Sequence, residues 1–356
     1  MTSKPESTSP LQGFTLLTGQ EIWGDNWRDY EHGNGQLQVM KSYGTKTGMS
    51  DLAVLLGSAV SSSNTTTSDG QRAAFVWSAS TNGDGDVRTV DPYGTSCYPC
   101  PSGRQSGVRP ALPSSVASSI RLSDSSPEAL AKGEAIRGEP IRDTNGQVIW
   151  NDVILFGEYP QTIADENITS ELKGLSEAQL KKMETGKIYT FNSEKHDAFD
   201  KPFNANEYAE YQHKGKKYIR VEAKPCLARY PMLSNGEQAQ KGQSYWVEVQ
   251  PIEWLKDPSG MLVARQAILG GVQFDTSISY KGEFQDTDMY RYLNTHFAKD
   301  IIPSRSLKQS QAKDENAKPP SGWPAAASWA EKHPSTVTTP WGEAVQDPKS
   351  GEWIAR

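Results

Sequence analysis

The chain has 356 residues, of which 35% are hydrophobic, and carries 43 acidic against 37 basic side chains for a net charge of -6. That balance gives no basic footprint for phosphate neutralisation, which argues against nucleic acid as a partner. No apolar run approaches the ~20 residues of a membrane helix, and MTSKPESTSPLQGF has no apolar stretch behind Lys4, so neither membrane insertion nor a secretory signal is expected. The cytoplasm, or carriage by a virion or a specialised export machine, fits such a chain.

Taken in chain order, residues 1–13 form a polar Ser/Thr/Pro tail expected to be disordered. FTLLTGQEIWG, from Phe14 to Gly24, reads as a short strand and turn. Ser50 predicts the cap of a helix whose apolar face carries Leu52, Leu55, Leu56 and Ala59. The Ser/Thr/Asn-rich run Ser61–Gly70 reads as a flexible loop.

From Phe75 to Pro113 apolar anchors stand at both ends, with little apolar between them except Val87, Val90 and Tyr93. A long polar segment cannot bury itself, so the stretch from Ser78 to Ser106 is expected as a displayed surface loop. The half 14–113 thus ends in a display loop. Residues 114–147 read as a connector with a weak helix near Pro127–Lys132.

The half 148–302 is more regular. DVILFGEYPQ reads as a strand ending in a Pro turn, and Ser176 with Gln179 is a capping-box pair opening a helix that Gly186 stops. KKYIRVEA and YWVEVQPIEWL alternate as half-buried strands do. MLVARQAIL is a third strand after the turn Asp257–Gly260. Thr287 caps a second helix with Met289, Tyr292, Leu293, His296 and Phe297 on one face, and Asp288 and Lys299 lie at the ends its dipole favours.

Residues 303–356 combine a linker with a tail holding Trp323, Trp329, Trp341 and Trp353. The stretch from Trp341 to Ile354 reads as a hairpin, which needs a docking surface on this chain or on a partner.

DVILFGEYPQ, YWVEVQPIEWL and MYRYLNTHF resemble an uncharacterised bacterial family with a C-type-lectin-like fold, shared with the formylglycine-generating enzymes. That family closes with a W-x-S segment and G-V-R-P-A-L. Here Trp77-Ser78 and Gly107–Leu112 stand before the block instead of after it. The resemblance implies an α+β, C-type-lectin-like fold, read as one composite domain with permuted motif order. A shared core should then mix Leu52, Leu55, Leu56 and Trp77 with Trp246, Trp254, Tyr292, Leu293 and Phe297.

The segment between Trp77 and Gly107 also resembles the variable region of ligand-binding proteins diversified by retroelements. The matching ligand-binding candidates are Trp77, Ser78, Thr81, Asn82, Asp84, Asp86, Asp91, Tyr93, Tyr98, Arg104 and Gln105. Tyrosine offers wide amphipathic contact at low entropy cost, and Ser, Asn and Gly adapt their hydrogen bonds. The function expected is non-enzymatic capture of a protein or glycan, in the manner of an adhesin or receptor. A second reading is an assembly, virion or surface protein acting through its Trp-rich tail, with an oligomer or assembly partner docked there. A third is an enzyme of the formylglycine-generating type.

Chemistry-bearing residues are sparse. Cys97 and Cys100 form C-x-x-C without further zinc-ligand spacing, and Cys226 is isolated, so a redox or metal role is not expected. Asn82, Asp84 and Asp86 have calcium-loop spacing, but Val87 and Tyr93 stand where an EF-hand needs Gly and Glu; calcium in another geometry remains the one cofactor alternative. Trp150-Asn151-Asp152 matches the W-N-D of sugar-binding lectins yet reads as a strand-entry turn over a core Trp. Arg109 is expected to be structural, with Glu253 as its carboxylate.

Overall fold

The computed structural model describes residues 13–24, 36–61, 65–81, 87–100, 106–123, 129–130, 132–191, 206–227, 231–272, 274–275, 283–301, 336–339, 342–346 and 353–355. The architecture is α+β, dominated by sheets with a few short helices.

The N-terminal segment departs from the strand-and-turn expectation. Phe14 lies beside a single bridge, Thr15 to Ala111, and Gly19–Trp23 is a helix, α1. Its cause is a capping box: Thr18 Oγ1 accepts from Glu21 N, and the Glu21 carboxylate accepts from Thr18 N at 2.7 Å. Gln38–Ser42 forms α2 and Gly48–Met49 the short strand β1. Ser50 then caps α3, Asp51–Leu55, accepting from Ala53 N.

The segment read as a display loop carries strands of its own: β2 (Val76–Thr81), β3 (Val87–Val90), β4 (Ser96–Cys100) and β5 (Ser106–Val108). Val87, Arg88, Thr89 and Val90 are all buried. β-branched residues at three of those four positions favour a strand even in a polar neighbourhood. Ala111–Leu112 is β6 and Ser114–Ala117 is α4.

Residues 114–147 also do more than connect. Ile136–Arg137 (β7) joins the main sheet, while Ile141–Arg142 (β8) pairs with Val148–Trp150 (β9). Strand β10, Val153–Ile163, runs straight through Pro160, which lies opposite Val249 next to a register irregularity. Proline is tolerated in strands at such irregularities.

Asp165 caps α5 (Glu166–Lys173), and the Ser176–Gln179 capping box opens α6, Glu177–Met183. That helix stops at Met183, ahead of Gly186, and the chain passes directly into β11, Glu184–Phe191. β12 (Asn206–His213), β13 (Lys216–Glu222) and the long β14 (Ser244–Lys256) follow. The expected third strand is broken into β15 (Leu262–Ala264), β16 (Gln266–Ala267) and β17 (Leu269–Val272).

The Thr287-capped helix is α7, Asp288–Tyr292, which widens into a π turn over Leu293–Phe297 before α8, Ala298–Asp300. In the tail, β18 (Thr336–Thr339), β19 (Gly342–Gln346) and β20 (Trp353–Ala355) make a three-stranded antiparallel sheet, one strand more than the hairpin expected.

Three pairings stitch the two sequence halves together. β6 pairs with β15, Ala111 opposite Val263; β5 pairs with β17, Val108 opposite Leu269; and β1 runs parallel to β16, Met49 opposite Ala267. The main sheet has the order β11-β12-β13-β14-β10-β7, with β15 and β6 attached at β14, and a smaller sheet runs β17-β5-β2-β3-β4. Its largest core mixes Leu52, Leu55, Leu56 and Trp77 with Trp254, Tyr292, Leu293 and Phe297. Trp246 lies apart, packed with Leu172, Leu180 and Tyr218 under α5 and α6.

Candidate binding surface

The smaller sheet positions the candidate residues, and it divides them sharply. Trp77 is 2% exposed; its indole Nε1 donates to Val272 O at 3.2 Å and its ring lies 5.7 Å from that of Phe274. Ser78 is fully buried and donates to Arg88 O at 2.9 Å. Both belong to the frame and cannot touch a ligand, which corrects their place among the contact residues. Trp77 and Ser78 point to opposite faces of β2, and both faces are covered at this point of the sheet.

At the far side of the frame, Gly107 donates its N–H to Phe75 O at 2.8 Å. A Cβ at Gly107 would meet Met49 Cε at 2.7 Å and Ala267 Cβ at 3.0 Å, so only glycine lets β5 pass this close to β1 and β16.

Asp91 organises the turn between β3 and β4. Its Oδ1 accepts from Tyr93 N at 2.9 Å and Thr95 N at 2.8 Å, and its Oδ2 accepts from Thr95 Oγ1 at 2.6 Å. Both carboxylate oxygens are therefore committed to the turn, as an Asx motif predicts. Gly94 closes it at φ +84°, where a Cβ would strike Thr45 Oγ1, and its carbonyl accepts from Trp23 Nε1 at 2.9 Å. The turn is docked on α1 and on the chain before β1. Tyr93, held at its tip, is 63% exposed.

Thr81 is half-buried at the end of β2. Tyr98 lies in β4, but its side chain is outside the described residues, as are Asn82, Asp84, Asp86, Arg104 and Gln105. Among the described residues no group of three or more His, Cys, Asp or Glu is placed to hold a metal ion. Cys97 and Cys226 are half-buried. Trp150 is a core residue whose Nε1 donates to Asp152 O at 3.0 Å, consistent with a strand-entry turn.

Arg109 is buried beneath this sheet, but its partner is not Glu253. Its Nε donates to Ala264 O at 2.6 Å and its Nη1 to Thr47 Oγ1 at 3.1 Å. Burial lowers its pKa to about 10, against the opposing influence of Tyr43 and Asp69. Glu253 instead receives Arg265 Nη1 at 2.5 Å, and Arg265 grips Asp69 Oδ2 through Nε and Nη2 at 2.9 and 2.6 Å. Arg265 directly follows Ala264, whose carbonyl takes Arg109 Nε, too fine a distinction for spacing alone.

A second polar cluster, absent from the sequence-derived candidates, lies between β11, β12 and α8. Lys187, Glu210 and Asp300 are all buried there. Glu210 accepts from Thr185 Oγ1 and Tyr189 Oη, each at 2.7 Å, and Asp300 accepts from Thr190 N at 2.7 Å. Lys187 Nζ stands 4.5 Å from the centre of the Tyr189 ring. Burial lowers the Lys187 pKa to about 8 and raises that of Asp300 to about 7. Alternation in the sequence would turn the apolar Ile188 inward; here Ile188 is 45% exposed and its neighbours Lys187 and Tyr189 face inward instead.

No family model matches the chain, and neither a curated protein nor a solved structure does. No helix among the described residues is long and apolar enough to cross a membrane.

Proposed function

We propose that the chain is a non-enzymatic ligand-binding protein that presents the Tyr93 turn of the β2–β4 meander on a C-type-lectin-like scaffold. The Tyr93 turn lies at one end of β3, and the connections 82–86 and 101–105, candidates for a second presenting region, leave from the other end, where Val87 lies opposite Thr81 and Cys100. The observation that carries this reading is the contrast within one sheet. Trp77 and Ser78 are buried within it, whereas Tyr93 stands 63% exposed on a turn braced by three hydrogen bonds to Asp91. A rigid frame that holds an exposed tyrosine fits capture of a protein or glycan, because little conformational entropy is lost on binding.

The lectin-like scaffold is supported by the pairing of β5 and β6, which carry G-V-R-P-A-L, with β17 and β15 from the other half. Exchange of residues, as in retroelement-diversified proteins, would be confined to the turn and connections, since Val87, Thr89 and Val90 are core. The pairing of β18, β19 and β20 into a sheet of their own favours a second role for the tail as an assembly contact.

Probing arrays of glycans and cell-surface proteins with the full chain and with Tyr93→Ala tests the reading. Capture by the wild type and at least tenfold weaker capture by the variant, with an unchanged unfolding midpoint, is the expected outcome. Equal capture by both removes the Tyr93 turn from the binding surface.

A further inference from the structure

Behind the β2–β3 hairpin, Arg109 is 4% exposed and both of its hydrogen-bond acceptors, Ala264 O and Thr47 Oγ1, are neutral. Its remaining nitrogen, Nη2, is buried and has no hydrogen-bond partner among the described residues. Native proteins seldom leave a buried charged donor without an acceptor. The nearby carboxylates are engaged elsewhere: Arg265 holds Asp69 and Glu253, and Asp69 also accepts from Tyr43 Oη at 3.0 Å. The Tyr43 ring faces Arg109, its centroid 6.0 Å from Cζ.

Arg109 and Thr47 line a cavity of about 10 Å3 whose other walls include Thr45, Met40, Trp77 and Val90. A space of this size takes about one water-sized or monatomic species. The wall chemistry separates the two. A buried water needs acceptors as well as donors around it. Here the guanidinium can only donate, the Thr47 hydroxyl already accepts from Arg109 Nη1 and is directed at Thr45 O at 3.4 Å, Thr45 supplies the one other hydroxyl, and the rest of the wall is mostly apolar. A halide accepts only, and it would give the guanidinium, whose own hydrogen-bond acceptors are neutral, a directly bonded negative charge beside the more distant Asp69.

We propose that this cavity is a binding site for a single halide ion, chloride in ordinary salt, held by Arg109 Nη2 beneath Trp77 and Val90. The site fixes the base of the presenting sheet. It stands independently of whatever the Tyr93 turn captures, and its test involves no captured ligand.

Crystals of the full chain in sodium bromide, measured at the bromine edge, should show an anomalous peak within hydrogen-bonding distance of Arg109 Nη2. Density there without anomalous signal, or no density, overturns the proposal. In solution, the unfolding midpoint should rise in a saturable way with bromide or chloride relative to gluconate at equal ionic strength, as mass action requires for a ligand of the folded state. Val90→Ile, which adds a methylene to the cavity wall while leaving Arg109 in place, should lose that increment. An increment equal in both proteins is a bulk salt effect and contradicts the site. If the variant does not fold, the diffraction measurement on the wild type decides alone.

Discussion

Asn294, in the π turn, ties the N-terminal segment to the body of the fold. Its Oδ1 accepts from Gly13 N at 2.6 Å and Phe14 N at 2.8 Å, and its Nδ2 donates to Phe14 O and Tyr290 O, each at 2.9 Å. Phe14 itself is fully buried, 5.2 Å from the Phe297 ring and 6.1 Å from that of Trp254. Asn294→Ala removes all four bonds at once and leaves two backbone N–H groups and two carbonyls to find new partners. At about 1 kcal/mol per neutral bond, with some rescue by water at this partly exposed site, the cost is about 2–4 kcal/mol. For a domain of this size that lowers Tm by on the order of 5–10 °C. Urea titration with amide hydrogen exchange is the assay: the midpoint should fall, and the Phe14 and Thr15 amides should lose protection before the main sheet does. A loss under about 0.5 kcal/mol with unchanged protection would show that the clamp does not hold the segment.

Two other perturbations follow from the buried groups and the tail. Asp300 has its pKa raised to about 7 by burial, against the Thr190 N–H, Lys187 and Lys299, which pull it down. A carboxyl more basic when folded than when unfolded costs stability as pH rises through the interval from the unfolded value of ~4 to about 7. Asp300→Asn keeps an acceptor for Thr190 N and should flatten the fall in unfolding free energy across that range; an unchanged slope would place its origin elsewhere. Deleting residues 303–356 should reduce the particle mass seen by light scattering beyond the mass of the tail itself if the tail makes an assembly contact, whereas loss of the tail's mass alone would reduce it to self-packing.

Local signals in the sequence were legible where one residue type does one job. Ser50, Ser176 and Thr287 cap helices because a hydroxyl there meets an orphan N–H. The alternation of β13 and β14 gives the main sheet its inward face. The same capping logic lay in Thr18-Gly19-Gln20-Glu21 and passed unread, since the apolar neighbours Leu16, Leu17, Ile22 and Trp23 mimic a strand. The segment 75–113 misled for a different reason. Its polarity resembles a loop, yet Ser78, Arg88 and Thr89 are buried, with Ser78 donating to Arg88 O and Arg88 Nη1 to Ser96 Oγ. Composition does not report such pairing. The Lys187 cluster and the Arg109 acceptors depend on contacts between distant segments and have no local signature.

That correction also decides how the binding surface must be probed. Replacing the whole of 81–105 would remove the buried side chains of β3 and unfold the chain, so only the outer parts can be exchanged. The most direct measurement replaces 82–86 and 101–105 with Gly/Ser sequence, together with Tyr93→Ala, and follows thermal unfolding alongside capture on glycan and cell-surface protein arrays. A presenting surface on a rigid frame predicts a nearly unchanged unfolding midpoint and complete loss of capture. Capture that survives all three changes would contradict it.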